Sequence, residues 1–177
     1  MRIAITQRVL QHKGRFYDSL EQSWWDLLQS HQLIPIPNTQ HQNLQQTLDT
    51  TDLIILSGGE ANDARRQVEA EIFKHVDEHK TPVLGVCRGM HLVADRIGLD
   101  VFAVDNHMDT EHTIIMSDIE HTVPSHHSLA VRTGSNIDVV ALDMENYVEA
   151  FQVDNYTCMQ WHPERMQQPL WPKNFSL

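Results

Sequence analysis

Apolar and polar positions along the first half of the chain alternate between two rhythms. Short apolar runs at 2–6 (RIAIT), 33–36 (LIPI), 52–57 (DLIILS) and 82–86 (PVLGV) read as strands. The last two are apolar through their middles, as strands buried on both faces are. Other segments repeat their apolar residues at helical spacing. Leu20, Trp24, Leu27 and Leu28 predict a helix over 19–30, opened by Ser19 and Gln22 as a capping box. Trp24 falls on its apolar stripe and belongs to the core. Trp25 lies off the stripe and is a candidate to line a partner or ligand surface. Val68, Ile72 and Val76 predict a helix over 64–79, capped by Asn62 or Asp63. Met90, Val93, Ala94 and Ile97 mark a third helix, which Gly98 ends as a C′ glycine.

Strand and helix in this order form a parallel sheet covered on both faces. After about residue 100 the rhythm changes. HTIIM, LAVRT, IDVVAL, YVEAF and YTCMQW are short strand-like runs joined by turns, expected as hairpins at one side of the main sheet. The expected fold class is α/β: a flavodoxin-like, doubly wound, mostly parallel sheet flanked by helices, with extra antiparallel hairpins in the C-terminal half. No internal repeat, low-complexity tract or linker interrupts the chain, so residues 1–177 read as one domain.

Composition narrows the function classes. Of 177 residues 41% are hydrophobic, enough for a sizeable core and too many for a disordered chain. The formal net charge of −11 argues against nucleic-acid binding, which needs a basic face. No apolar run approaches a membrane span. The opening MRIAITQRVL turns polar too soon for a secretory signal, so a cytoplasmic location is expected. Cys87 and Cys158 are the only thiols, and two distant cysteines without a signal make a poor case for a disulfide.

Cys87 stands where a buried strand meets a helix, inside Gly85-Val86-Cys87-Arg88-Gly89. G-x-C-x-G at that junction is the cysteine form of the nucleophile elbow. The nucleophile occupies a strained backbone position, and side chains two residues to either side would collide. The turn also leaves the sulfur near a helix N-terminus, which favours the thiolate. The plain alternative is a buried cysteine between packing glycines. A thiol nucleophile needs a base. Trp161-His162-Pro163-Glu164 follows a strand pattern and offers an imidazole with a carboxylate two residues on to orient it. Alone, that tetrapeptide reads as a surface loop; with the elbow it reads as a pair of catalytic groups.

With these residues the chain resembles the class I glutamine amidotransferases, a family that also holds the γ-glutamyl hydrolases. LSGG after the third strand, PVLGVCRGM, VPSHHSLAV (123–131) and WHPE occur in the family's order. The resemblance implies a Cys87, His162, Glu164 triad that forms a γ-glutamyl thioester and releases glutamate. It implies an oxyanion hole from the backbone amides of Gly59 and Arg88, and glutamyl binding by Gly58, His91, Ser125, His126, His127 and Ser128. Arg65 and Glu69 resemble part of the R-D-x-x-E pattern of γ-glutamyl hydrolases, with Arg66 in place of the aspartate. ITQRV and YDSLEQSWWDLL are similar to a smaller subgroup whose described members cleave a γ-glutamyl cytidine-diphosphate amidate in making surface-polysaccharide phosphoramidates.

Several positions depart from the family pattern. His91 stands where a glutamine is usual, Pro124 precedes Ser125 in place of a polar residue, Leu129 replaces a glutamine, and Glu60-Ala61-Asn62-Asp63 is longer than the usual G-G-N-D. Arg8, just past the first strand on the rim where open α/β sheets bind ligands, is a candidate for a phosphate-bearing leaving group; its plain alternative is a surface ion pair.

His107, His112, His121, His126 and His127 crowd one region of a chain with twelve histidines. No helical i, i+4 pair with a carboxylate between them supports a metal hydrolase, so no metal and no cofactor are expected. The expected partner is a small γ-glutamyl substrate, with no nucleic acid and no membrane; a homodimer stays open. The expected function is a stand-alone γ-glutamyl amide hydrolase. The alternatives are a glutaminase subunit that feeds ammonia to a synthase partner, and a non-catalytic binding member of the fold.

Overall fold

The structure, a computed structural model, describes residues 1–39 and 43–177 in two compact units, Met1–Val83 and Leu84–Leu177. In the first unit, strand β1 (Arg2–Thr6) is central. It pairs in parallel with β4 (Gln32–Ile36) and β5 (Leu53–Leu56), giving the order β4-β1-β5 that opens a flavodoxin-like sheet. Ile3, Ala4, Ile5, Ile54, Ile55 and Leu56 are fully buried, as continuous apolar strands in a covered parallel sheet should be.

Helix α3 (Asp63–His79) follows β5 and buries Val68, Ile72 and Val76, the predicted stripe. Asn62 caps it, its Oδ1 accepting from the Arg65 N–H at 3.0 Å. Lys80 closes it in the left-handed region, with φ 56°.

The chain between β1 and β4 departs from expectation. Residues 8–19 form a two-stranded hairpin, β2 (Arg8–His12) and β3 (Arg15–Ser19), turned by Lys13 and Gly14 at φ 48° and 72°. Ser19 is therefore the last residue of a strand and caps nothing. Helix α1 is only Gln22–Leu27, with Glu21 at its N-cap. Trp24 is buried in it and Trp25 exposed. A short helix α2 (Leu44–Asp49), without a sequence signal of its own, precedes β5.

Strand β6 (Val83–Val86), whose first residue closes the first unit, leads into α4 (Arg88–Arg96). Gly98 follows α4 with φ 80°, the expected C′ position. The remaining strands are β7 (Val101–Ala103), β8 (Thr110–Met116), β9 (Ile119–Ser125) and β10 (Leu129–Val131). They are followed by β11 (Asp138–Asp143), β12 (Val148–Val153) and β13 (Tyr156–Met159).

The main order is β6-β13-β12-β11-β8-β9, with β10 joining β12 to β7. The β8–β9, β8–β11, β11–β12 and β12–β13 pairs are antiparallel, so the expected change of rhythm after residue 100 is realised. Ser117 and Asp118, both at positive φ, turn β8 into β9. Pro124 is tolerated because β9 is an edge strand. The fold is α/β: parallel strands with helices, extended by antiparallel strands. Among the described residues no helix is long and apolar enough to cross a membrane.

Candidate active site

Cys87 occupies the one-residue step between β6 and α4. Its φ of 51° and ψ of −108° place a non-glycine residue in the sparsely populated positive-φ half of the backbone map. Two bonds hold it there. Its N–H donates to the Met159 carbonyl at the end of β13 (2.9 Å), and its own carbonyl accepts from the His91 N–H (3.2 Å). The flanking glycines have a steric reason. A Cβ on Gly85 would lie 3.0 Å from the carbonyl carbon and oxygen of Gly89, and 3.1 Å from the Cys158 sulfur. The strand and the first turn of α4 thus approach backbone to backbone, and the turn stays tight. Cys87 stands immediately before the N-terminus of α4.

β13 delivers the second group. It runs into Trp161, whose indole Nε1–H donates to the Leu170 carbonyl at 3.0 Å, and then into His162. Pro163 starts a single 3-10 turn, Pro163–Arg165, that carries Glu164 back beside the ring. His162 Nδ1–H donates to Glu164 Oε1 at 2.7 Å, and both side chains are buried. Burial works against an imidazolium here, but its hydrogen bonds to Cys87 and Glu164 outweigh it and lift the His162 pKa to about 9. The structure therefore brings Cys87, His162 and Glu164 together, with Glu164 fixing the tautomer that leaves Nε2 for the sulfur. Cys158, the other thiol, is fully buried, and burial pushes its pKa far up.

The residues expected around the glutamyl group have mixed placements. His91, one turn into α4, donates from Nε2 to Gln160 Oε1 at 2.7 Å, and burial lowers its pKa. His126 keeps part of its ring exposed and stands edge-on to His162, ring centres 5.9 Å apart, with Nδ1 3.0 Å from Asp109. Ser128 is exposed. Ser125 is fully buried, and its hydroxyl donates to the His107 carbonyl at 2.6 Å. His127 is buried among other histidines, and burial is the first cause that lowers its pKa to about 3. Gln160, which sequence reading missed, lies two residues before His162; its signal was only its place just past β13.

Gly58, Gly59 and Arg8 belong to the first unit. Gly59 has φ 87°, and a Cβ on it would meet Arg8 Cδ and Cβ at 2.7 and 2.8 Å. Arg8 stretches over the glycine and reaches Glu21 at 3.9 Å. The carbonyls of this loop are gathered by Arg65, which is fully buried. Its Nη2 donates to the Ser57 carbonyl (2.7 Å) and its Nη1 to those of Glu60 (2.8 Å), Gly58 (3.2 Å) and Gly59 (3.3 Å). Its Nε pairs with Glu69 one turn on, at 2.8 Å. The Arg65/Glu69 spacing seen in the sequence is thus a buried clamp on the glycine loop.

The chain matches the glutamine amidotransferase class-I family over residues 14–176 and belongs to that family. Among individual proteins it is 26% identical over 184 residues to the gamma-glutamyl-CDP-amidate hydrolase of Campylobacter jejuni subsp. jejuni serotype O:2, covering 93% of this chain and 90% of that one. It is 30% identical over 135 residues to the pyridoxal 5'-phosphate synthase subunit PdxT of Haemophilus ducreyi, covering 66% and 71% of the two chains. A glutamine amidotransferase from Thermotoga maritima shares the fold with a TM-score of 0.74 at 15% identity, over 92% of this chain and 76% of that one.

Proposed function

We propose that the protein is a stand-alone γ-glutamyl amide hydrolase with Cys87 as nucleophile. The observation that carries this reading is the shared imidazole: His162 is hydrogen-bonded to Glu164 and to the thiol of a left-handed cysteine at a strand–helix step. His162 takes the thiol proton, Cys87 Sγ attacks the γ-carbonyl carbon, and the oxyanion that forms is met by the Arg88 N–H, at the start of α4. Gly59 is the second donor that the family resemblance assigns. The tetrahedral adduct collapses, the C–N bond breaks, and His162 gives its proton to the leaving amine. A water deprotonated by His162 then attacks the thioester carbonyl, releasing glutamate and restoring the thiol. The likeness to the Campylobacter enzyme supports a nucleotide-linked phosphoramidate as the leaving group, with His126, Ser128, His91 and Arg8 as the residues to test for binding it.

The test is a panel of γ-glutamyl amides, including nucleotide-linked ones, given to the isolated protein with glutamate release as readout. Release that disappears in Cys87→Ala supports the reading; full release by Cys87→Ala ends it. A second reading is a glutaminase subunit, favoured by the likeness to a synthase subunit. It requires that glutamine hydrolysis stay slow until a synthase is added.

A further inference from the structure

The second unit buries a group of side chains that the thiol chemistry does not use. His107, His127, Asp143 and Glu149 are buried, and His112 is half-buried among them. The three rings stand 5.0–5.7 Å apart, centre to centre. The five residues come from five places in the chain: the segment before β8, β8 itself, the segment after β9, the end of β11 and the start of β12.

Hydrogen bonding fixes which way these rings present their lone pairs. His127 Nδ1 is 2.8 Å from the Leu129 carbonyl, and His107 Nδ1 is 2.8 Å from the Asp105 carbonyl. A carbonyl only accepts, so each Nδ1 carries a hydrogen and each ring turns its Nε2 inward. What those nitrogens meet are carboxylate oxygens. His127 Nε2 is buried with no hydrogen-bond partner and lies 3.8 Å from Glu149 Oε1. His107 Nε2 lies 3.6 Å from Asp143 Oδ2. His112 Nε2 donates to Glu149 Oε2 at 3.2 Å, and its Nδ1 is buried with no hydrogen-bond partner. Asp143 Oδ1 is already taken by the N–H groups of Glu145 and Tyr147, at 2.9 and 2.8 Å, which leaves Oδ2 for His107.

A bare nitrogen such as His127 Nε2, buried beside the Glu149 carboxylate without a hydrogen between them, is costly unless a cation stands there. The spacing is that of ligands around one ion. Atoms bound to a tetrahedral zinc at about 2.0–2.1 Å are about 3.3 Å from each other. The ligating atoms of His112, His127 and Glu149 lie within 4.8 Å of one another, as do those of His107, His112 and Asp143. A histidine whose other nitrogen is anchored on a backbone carbonyl is also the usual second-shell support of a zinc ligand.

We propose that His112, His127 and Glu149 bind a zinc ion, with the adjoining His107–Asp143 pair closing the site. The ion ties β8, the segment after β9 and β12 together. His126, next to His127, is the residue that stands edge-on to His162, and the Glu149 carbonyl accepts from the Gln160 N–H at 2.8 Å. The metal is thus structural and holds the segment beside the candidate base.

The test uses chelator-stripped full-length protein carrying Cys87→Ala, so that the thiol and His162 cannot supply a metal site of their own. Titration with cobalt(II) gives about one equivalent of a tetrahedral visible spectrum without sulfur charge-transfer, and zinc displaces it. Zinc raises the unfolding temperature and a chelator lowers it. His112→Ala and Glu149→Gln weaken zinc binding by about a hundredfold or more. His79→Ala, in the partly exposed Asp49, His75, His79 group of the first unit, leaves it unchanged. The stripped protein itself decides the matter should either variant fail to fold. No cobalt spectrum and no thermal shift overturn the proposal, and so does binding that survives His112→Ala but is lost in His79→Ala.

Discussion

At the scale of the residue, two cysteines of one chain differ in what surrounds them. Cys87 faces an imidazole at a helix N-terminus, whereas Cys158 is sealed against Gly85 with its thiol pushed far toward the neutral form. Iodoacetamide on the folded protein should therefore label Cys87 alone, read by mass spectrometry of the digested chain. Labelling of Cys158 at a comparable rate would contradict this. His162 carries the complementary prediction. Burial lowers its pKa, and the hydrogen bonds with Cys87 and Glu164 raise it to about 9. Its ring should titrate near that value by NMR, and lower in Cys87→Ser or Glu164→Gln, each of which removes one of the raising partners. His162→Asn should reduce γ-glutamyl cleavage by about 10²–10⁴-fold, the usual worth of a positioned base.

At the scale of the element, close approach and buried charge hold the two loops that matter. The β6–α4 step depends on Gly85, where even a methyl group lands 3.0 Å from the Gly89 backbone. Gly85→Ala should destabilise the protein by about 1–3 kcal/mol, as overpacking does, and slow alkylation of Cys87 by shifting the elbow. Urea unfolding together with the alkylation rate measures both effects. The glycine loop after β5 depends on Arg65, the buried donor to four successive carbonyls and partner of Glu69. Arg65→Met leaves that carboxylate buried without its charge partner, a loss of about 3–5 kcal/mol, and the unfolding midpoint should fall accordingly. An unchanged midpoint would show that the clamp is dispensable.

At the scale of the whole molecule, stability should depend on pH with a sign set by His162. Its pKa is raised on folding, so its favourable contribution is complete below the ordinary value of about 6.5 and fades as pH climbs through about 9. Denaturant unfolding between about pH 6 and about pH 9 should show falling stability, with a shallower fall in Cys87→Ser. The sequence alone determined the parallel strands, α3, α4 with its closing glycine, and the antiparallel second half, because each rests on contiguous apolar periodicity or a local cap. It also determined the elbow and the His162–Glu164 pair, whose members lie within a few residues of one another. It did not reveal the β2–β3 hairpin: most of its residues face outward, so no alternation marks it, and only Lys13-Gly14 signalled a turn. That His162 meets Cys87 was suggested by the two motifs and by the resemblance, and pairing of β13 with β6 decided it. Of the cluster of His107, His112, His127, Asp143 and Glu149, the sequence showed the three histidines as neighbours and set a metal aside; Asp143 and Glu149 were not seen to join them. Its members are spread over more than forty residues, and the pairings of β8 with β9 and β11, and of β12 with β10 and β11, bring their side chains within reach of a shared ion.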